Sequence, residues 1–318
     1  MITTSIETAK LALENNDIVA IPTETVYGLA GNAYNEDAIH KIFTLKNRPH
    51  YNPLIVHIKS ASYLQQVAKN IPAIALQLAD AFWPGPLTLV LEKQDHIPAI
   101  VTGGKNTVGV RVPGHPVALE LLEALDFPLA APSANPFGSI SSTTAKHVHD
   151  YFTDTLETIL DGGPCTKGIE STIIGFENEQ PILYRQGSIS IEDIEKITGK
   201  LNMLVHNDNN APAAPGMLSR HYAPNTTTIL TDDIHIAIEQ YKGYKIGLLL
   251  FKNTMVPDII TAVEVLSNTG DTAEAAKNLY AAMHRLDKQN LDIIIAERLP
   301  NTQLGIAIND KLERATKK

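Results

Sequence analysis

The 318-residue chain has one cysteine, Cys165, so no disulfide can form within it and its stability must come from packing. That scarcity also fits a reducing, cytoplasmic compartment. Cations are few as well. Against 35 Asp and Glu stand 26 Lys and Arg, a net charge of −9, which excludes a broad electrostatic footprint on nucleic acid and leaves at most weak RNA contact. The longest apolar runs, such as residues 246–251, have the length of a strand and are too short to span a bilayer, so no membrane is expected. The N-terminus MITTSIETAKLALENND reads as an amphipathic helix rather than a signal peptide. The single cysteine and eleven scattered histidines have no zinc-ligand spacing, so no dedicated metal site is expected. No GxxxxGK[ST], GxGxxG or GxSxG occurs, which removes the standard phosphate cradles and the hydrolase elbow.

What is present is a chain with 44% hydrophobic and 19% charged residues, typical of a soluble protein with real cores and long enough for two domains. Ser5 and Asn35 are placed to cap two early helices, and Pro72 opens a third that Trp83-Pro84-Gly85-Pro86 stops. Short apolar runs at 18–21, 54–58, 87–91, 107–112 and 128–131 predict strands, with a helix over 116–125 and another beginning near Thr143. Residues 171–176 and 181–184 predict a hairpin, and 191–198 a helix. Composition then shifts. Residues 207–216 are polar, then rich in Pro and Ala, and read as a linker. Beyond it, strands at 227–230, 245–251, 262–266 and 291–296 alternate with helices at 233–241, 272–286 and 305–314, which predicts a small α/β unit with a largely parallel sheet.

The cations are informative because the first 200 residues hold only 14 of them against 22 acids. Lys46 and Arg48 (LKNRPHYNP), Arg111 (VGVRVPGHP) and Arg185 (LYRQGS) sit in or beside loops of Gly, Pro and small polar residues. The loop PSANPFGSISST adds Ser133, Asn135, Ser141 and backbone N–H groups leading into a helix, a setting suited to a polyphosphate. Each feature also has a plain structural reading. Lys46 and Arg48 can complement a helix dipole, and Ser141 to Thr143 can be an N-cap cluster. His57 can be a satisfied strand histidine, Thr25 an ordinary strand-end residue, Arg185 a surface arginine and Cys165 a bystander.

Taken together, PTETVYGLAGNA, KNRPHYNPLIVHI, WPGPLTLVL, TVGVRVPGHP, APSANPFGSISST, GIESTII and LYRQGS resemble, in order, the threonylcarbamoyl-AMP synthase family. APGMLSRHYAP resembles the signature before the extra C-terminal domain of its long form. The resemblance implies a twisted α/β mixed sheet with a concave active-site surface, plus a small Rossmann-like α/β domain. It implies boundaries of 1–203 for the catalytic domain, 204–224 for the linker and 225–318 for the C-terminal domain. The implied reaction joins L-threonine, bicarbonate or CO₂ and ATP into threonylcarbamoyl-AMP and pyrophosphate. Other proteins would then transfer the group to the tRNA adenosine next to the anticodon. By the same resemblance Arg48, Asn52, Thr107, Ser133, Ser141, Arg185 and Tyr222 contact ATP. Thr25, His57, Arg111, Ala131 and Ser171 hold threonine, and the KxR and SxN pairs Lys46, Arg48, Ser133 and Asn135 form the catalytic group. Mg²⁺ would arrive with ATP. The segment with Met217, Arg220, His221 and Tyr222, hinged by Pro215-Gly216 and Pro224, is expected to act as a lid. Departures are small: PFGSISS stands where a more Ser/Gly-rich loop is expected. Two alternatives remain at this point: an RNA-binding or ribosome-assembly factor, and an adenylating carbamoyl-transfer enzyme using another carbamate.

Overall fold

A computed structural model describes residues 1–203, 214–217 and 221–317. The capping residues act as expected. Ser5 Oγ accepts from Thr8 N at the start of helix Ile6–Glu14, and Asn35 Oδ1 accepts from Ala38 N at the start of Glu36–Lys46. Asn47 ends that helix in the left-handed conformation, turning the chain so that Arg48 leaves the helix axis.

The first sheet is mixed and has twelve strands. Eleven lie side by side in the order Ile2–Thr3, Thr158–Leu160, Val19–Ile21, Gly28–Asn32, Leu129–Ala130, Ile55–His57, Thr107–Arg111, Leu87–Lys93, Thr172–Glu177, Gln180–Arg185, Asn202–Met203, and Ala68–Lys69 pairs with Leu87–Lys93. The expected hairpin is the antiparallel pair Thr172–Glu177 and Gln180–Arg185. His57 pairs with Arg111 in a parallel ladder and with Leu129 in an antiparallel one, so three strands end at one place. Several strands were not expected, above all Gly28–Asn32. Its sequence GLAGN has little strand propensity, but its glycines suit a close approach: a Cβ on Gly28 would come 3.2 Å from Ala131 Cβ, and one on Gly31 3.3 Å from Ile42 Cδ1, both tight contacts.

The second sheet has four parallel strands in the order Thr228–Thr231, Ile293–Glu297, Ile246–Leu250, Ala262–Val265, flanked by helices Ile234–Gln240, Thr272–Asp287 and Leu304–Ala315. Alternation of strand and helix made this sheet readable. Its apolar core does not stop at the sheet. Leu249, Leu279 and Met283 belong to one buried cluster with Val26, Ile140, Ile169 and Tyr222. Helix Thr272–Asp287 therefore packs against the segments that wall the cavity described next. At Gly168, with φ +76°, a Cβ would lie 2.3 Å from the Lys277 carbonyl oxygen, so only glycine admits that approach.

Candidate active site

The strand ends and loops converge on a cavity with about 550 Å³ of empty space, the open solvent at its mouth included. Its walls include Thr25, Arg48, His57, Arg111, Ala131, Ser133, Ser171, Arg185 and Tyr222, nine residues expected at the site from sequence. Lys46, Asn52, Thr107, Asn135 and Ser141 stand outside its lining.

Arg111 is buried in the cavity wall and held on all three of its nitrogens. Nε donates to the Gly85 carbonyl at 3.1 Å and Nη1 to Thr25 Oγ1 at 2.9 Å. Nη2 lies 2.6 Å from Glu24 Oε1, an ion-pair contact without hydrogen-bond alignment. Beside it His57 is buried and its Nδ1 lies 3.2 Å from the Ile55 carbonyl. Burial, and then the Arg111 charge, push the His57 pKa down to about 3, so the ring is neutral at physiological pH. The strand-histidine and strand-end readings describe the local bonds of His57 and Thr25, yet both face the cavity.

Two more buried guanidiniums line the same cavity. Arg48 Nη2 donates to the Pro53 carbonyl at 2.8 Å and Nε to the Asn52 carbonyl at 3.3 Å. Arg185 Nε and Nη2 donate to the Ser171 carbonyl, Nη2 also to Ser171 Oγ, and Nη1 to the Pro215 carbonyl at 3.0 Å. Burial, and then repulsion from Arg185, lower the Arg48 pKa to about 9, which still leaves it charged. His221 is driven well below its usual value by burial and then by Arg48, Lys46, Arg185 and Arg314. Cations gathered in this way, away from water, suit an anion.

Lys46 is fully buried, and its ammonium donates to the carbonyls of Ser133 and Asn135. It ties the 133–139 loop to the end of helix Glu36–Lys46 rather than simply complementing a dipole. Asn135 braces the same loop, donating through Nδ2 to the Pro136 and Ser139 carbonyls. Thr107 is exposed at the end of its strand opposite Arg111. Among the described residues, both polar side-chain atoms of Asn52, His221 Nδ1 and the Tyr222 hydroxyl are buried without a hydrogen-bond partner.

Parts of the interdomain segment form the roof. Pro215, Gly216, His221 and Tyr222 line the cavity, and Met217 packs with Ile55, Val90 and Ile173. Arg220 lies outside the described residues, as does most of the expected linker. Glu24 and Glu170 were missed by sequence reasoning. Their one available signal was that each is the sole charge within a motif of small and apolar residues, PTETVYG and GIESTII.

Residues 11–187 match the family described as "Telomere recombination", and residues 189–316 the family described as "Threonylcarbamoyl-AMP synthase, C-terminal domain". The chain is 40% identical to the threonylcarbamoyl-AMP synthase of Pyrococcus abyssi, over 96% of this chain and 92% of that one. It is 38% identical to that of Bacillus subtilis, over 96% and 91%. The crystal structure of P. abyssi Sua5 complexed with L-threonine superposes with a TM-score of 0.91, at 39% identity, covering 98% of this chain and 94% of that one. Fold, cavity and matches define an α/β enzyme of an ATP-using synthase class. The chain belongs to the threonylcarbamoyl-AMP synthase family, in its long form with the additional C-terminal domain.

Proposed function

We propose that this chain converts L-threonine, bicarbonate or CO₂ and ATP into threonylcarbamoyl-AMP and pyrophosphate, supplying the threonylcarbamoylation of tRNA. One observation carries most of the weight: three buried guanidiniums, those of Arg48, Arg111 and Arg185, line one cavity. Two anionic reactants need that arrangement. The threonine amine and bicarbonate give a carbamate and water. A carbamate oxygen then attacks the α-phosphorus, the new P–O bond forms, and the bond to the β-phosphate oxygen breaks with its electrons leaving on pyrophosphate.

In this reading Arg111, with Thr25, His57, Ala131 and Ser171, receives threonine. Arg111 Nη1 gives one of its two N–H groups to Thr25 and Nη2 makes no aligned hydrogen bond, so both terminal nitrogens keep an N–H for the carboxylate. Arg48, Ser133, Arg185 and Tyr222 receive ATP, and Asn52 and Ser141 stand behind them. The unpartnered atoms of His221 and Tyr222, both in the cavity lining, support a bound ligand that completes them. Lys46 and Asn135 act by holding the loop that carries Ser133. The proposed nucleotide role of Thr107 rests on family resemblance alone. No nucleophilic side chain takes part, and charge placement is the main contribution.

Magnesium enters as part of the ATP substrate. Glu170, the carboxylate in the cavity's lining, is already engaged by Ser141 and Tyr280, and no metal-binding cluster of three His, Cys, Asp or Glu occurs among the described residues. We further assign residues 1–203 to catalysis, 204–224 to a linker that closes over the nucleotide and excludes water from the carbamate, and 225–318 to the C-terminal domain. No helix among the described residues is long and apolar enough to cross a membrane, and we place the enzyme in the cytoplasm. Pyrophosphate release that requires both threonine and bicarbonate, with the adduct identified by mass spectrometry, is the expected result. Equal release with alanine in place of threonine overturns the substrate assignment.

A further inference from the structure

Glu170 is buried at the cavity wall, and both of its carboxylate oxygens are in use. Ser141 Oγ donates to Oε1 at 2.6 Å, and the Tyr280 hydroxyl donates to Oε2 at 2.7 Å. Tyr280 belongs to helix Thr272–Asp287 of the C-terminal unit and is itself fully buried. A buried carboxylate without donors is costly, and two hydroxyl donors at these distances are charge-assisted. The Tyr280 ring also stacks on Tyr222, with centroids 5.6 Å apart and planes 28° from parallel. One C-terminal side chain thus touches the nucleotide side of the cavity twice: directly at Tyr222, and through Glu170 at Ser141. The same helix places His284 Nε2 3.1 Å from the Ser141 carbonyl, which fixes the backbone of that residue.

We infer that Tyr280 is a positioning residue for ATP: through Glu170 and Tyr222 it holds the nucleotide wall in its binding shape, so the C-terminal unit serves substrate binding and not only stability. The inference rests on the assignment of Ser141 and Tyr222 to the nucleotide. It is not a statement about general docking of the two units, because Tyr280 meets the cavity by two contacts that differ in chemistry and can be removed separately. Phenylalanine keeps the ring against Tyr222 and removes only the hydroxyl. Leucine removes both.

The test compares Tyr280→Phe, Tyr280→Leu, Glu170→Gln and the double variant Tyr280→Phe/Glu170→Gln with the full-length parent. Lys288→Ala serves as a docking control, since Lys288 pairs with Asp150 on the exposed flank of the same interface. Each variant is titrated separately with ATP and threonine, and its melting temperature is recorded. A non-hydrolysable ATP analogue is titrated by calorimetry. Tyr280→Phe is expected to raise the KM for ATP and the analogue Kd about tenfold, the order set by one hydrogen bond to a carboxylate. The threonine KM should stay within about twofold, and the melting temperature should fall by only a few degrees, the cost of one buried carboxylate oxygen left without its donor. Tyr280→Leu should weaken ATP further, the double variant should be no worse than Glu170→Gln alone, and Lys288→Ala should match the parent. Analogue affinity unchanged in Tyr280→Phe, or ATP and threonine weakened equally in Tyr280→Phe and Lys288→Ala, overturns the inference. Failure of the parent to make product from threonine is a different outcome and overturns the proposed function instead.

Discussion

Arg111 and Glu24 form an ion pair at 2.6 Å with both side chains almost wholly buried, the acid standing one residue before Thr25, which the same guanidinium holds. Removing one partner of such a pair strands the other charge. Glu24→Ala should therefore lose about 3–5 kcal/mol of unfolding free energy. It should also raise the threonine requirement while leaving that for ATP nearly unchanged, because the loosened group belongs to the threonine end. Urea denaturation and separate substrate titrations measure the two effects. A Glu24→Ala protein as stable as its parent, with normal threonine use, would show that the pair is not what orients Arg111.

Arg48→Ala should reduce kcat/KM by two to three orders of magnitude, corresponding to about 2.7–4 kcal/mol for one preorganised donor. Arg48→Lys should restore little of it. The side chain holds two carbonyls, those of Asn52 and Pro53, through different nitrogens of its fork, and an ammonium cannot reproduce that geometry. Steady-state pyrophosphate release decides. Near-normal turnover in either variant would return Arg48 to the role of a helix-end cation.

The sequence made the regular elements legible where local chemistry decides them. Capped helices and the alternating C-terminal unit lie within a residue or two of expectation, as with helix Thr272–Asp287 against the expected 272–286. Strands of two or three residues, such as Ile2–Thr3 and Thr158–Leu160, carry no period to detect; each exists through its neighbour. The cationic half of the site was readable because cations are scarce. The acidic half was not, since Glu170 has its meaning only through Tyr280, 110 residues away. The linker's contact was legible in kind, from the Arg-His-Tyr run, but not in partner. Nothing in the chain order says that Pro215 meets Arg185.

Acid should destabilise the fold through its buried histidines. His57 has its pKa lowered to about 3 and His284 to about 4, each mainly by burial, while the unfolded chain titrates near the ordinary value of about 6.5. Between these values the unfolded state holds the proton and the folded state does not, so stability falls as pH drops from about 6.5 toward 4. Each histidine contributes up to about 1.4 kcal/mol per pH unit in that window and nothing above pH 8. Urea denaturation of the parent and of His284→Asn between pH 8 and pH 5 measures the slope. His284→Asn should flatten it, and identical slopes would mean that His284 is protonated in the folded protein.

Gly216 sets the strongest constraint on the roof of the cavity. Its φ is +76°, which disfavours any side chain, and an added Cβ would lie 2.7 Å from the Tyr222 hydroxyl and 3.0 Å from Arg185 Nη1. The neighbouring Pro215 carbonyl takes its hydrogen bond from that same Arg185 nitrogen. Gly216→Ala must therefore displace either the segment or the guanidinium, and both belong to the proposed nucleotide end. The expected result is an ATP KM raised about tenfold or more, with unfolding free energy lowered by no more than about 2 kcal/mol, since the change adds one methyl group and removes no packed side chain. Limited trypsin digestion gives an independent reading at Arg220. In the parent, ATP with threonine should slow cleavage there, and in Gly216→Ala the same substrates at the same concentrations should protect less. Equal protection in both proteins, together with an unchanged ATP KM, would mean that the segment only tethers the C-terminal domain and does not close over the substrates.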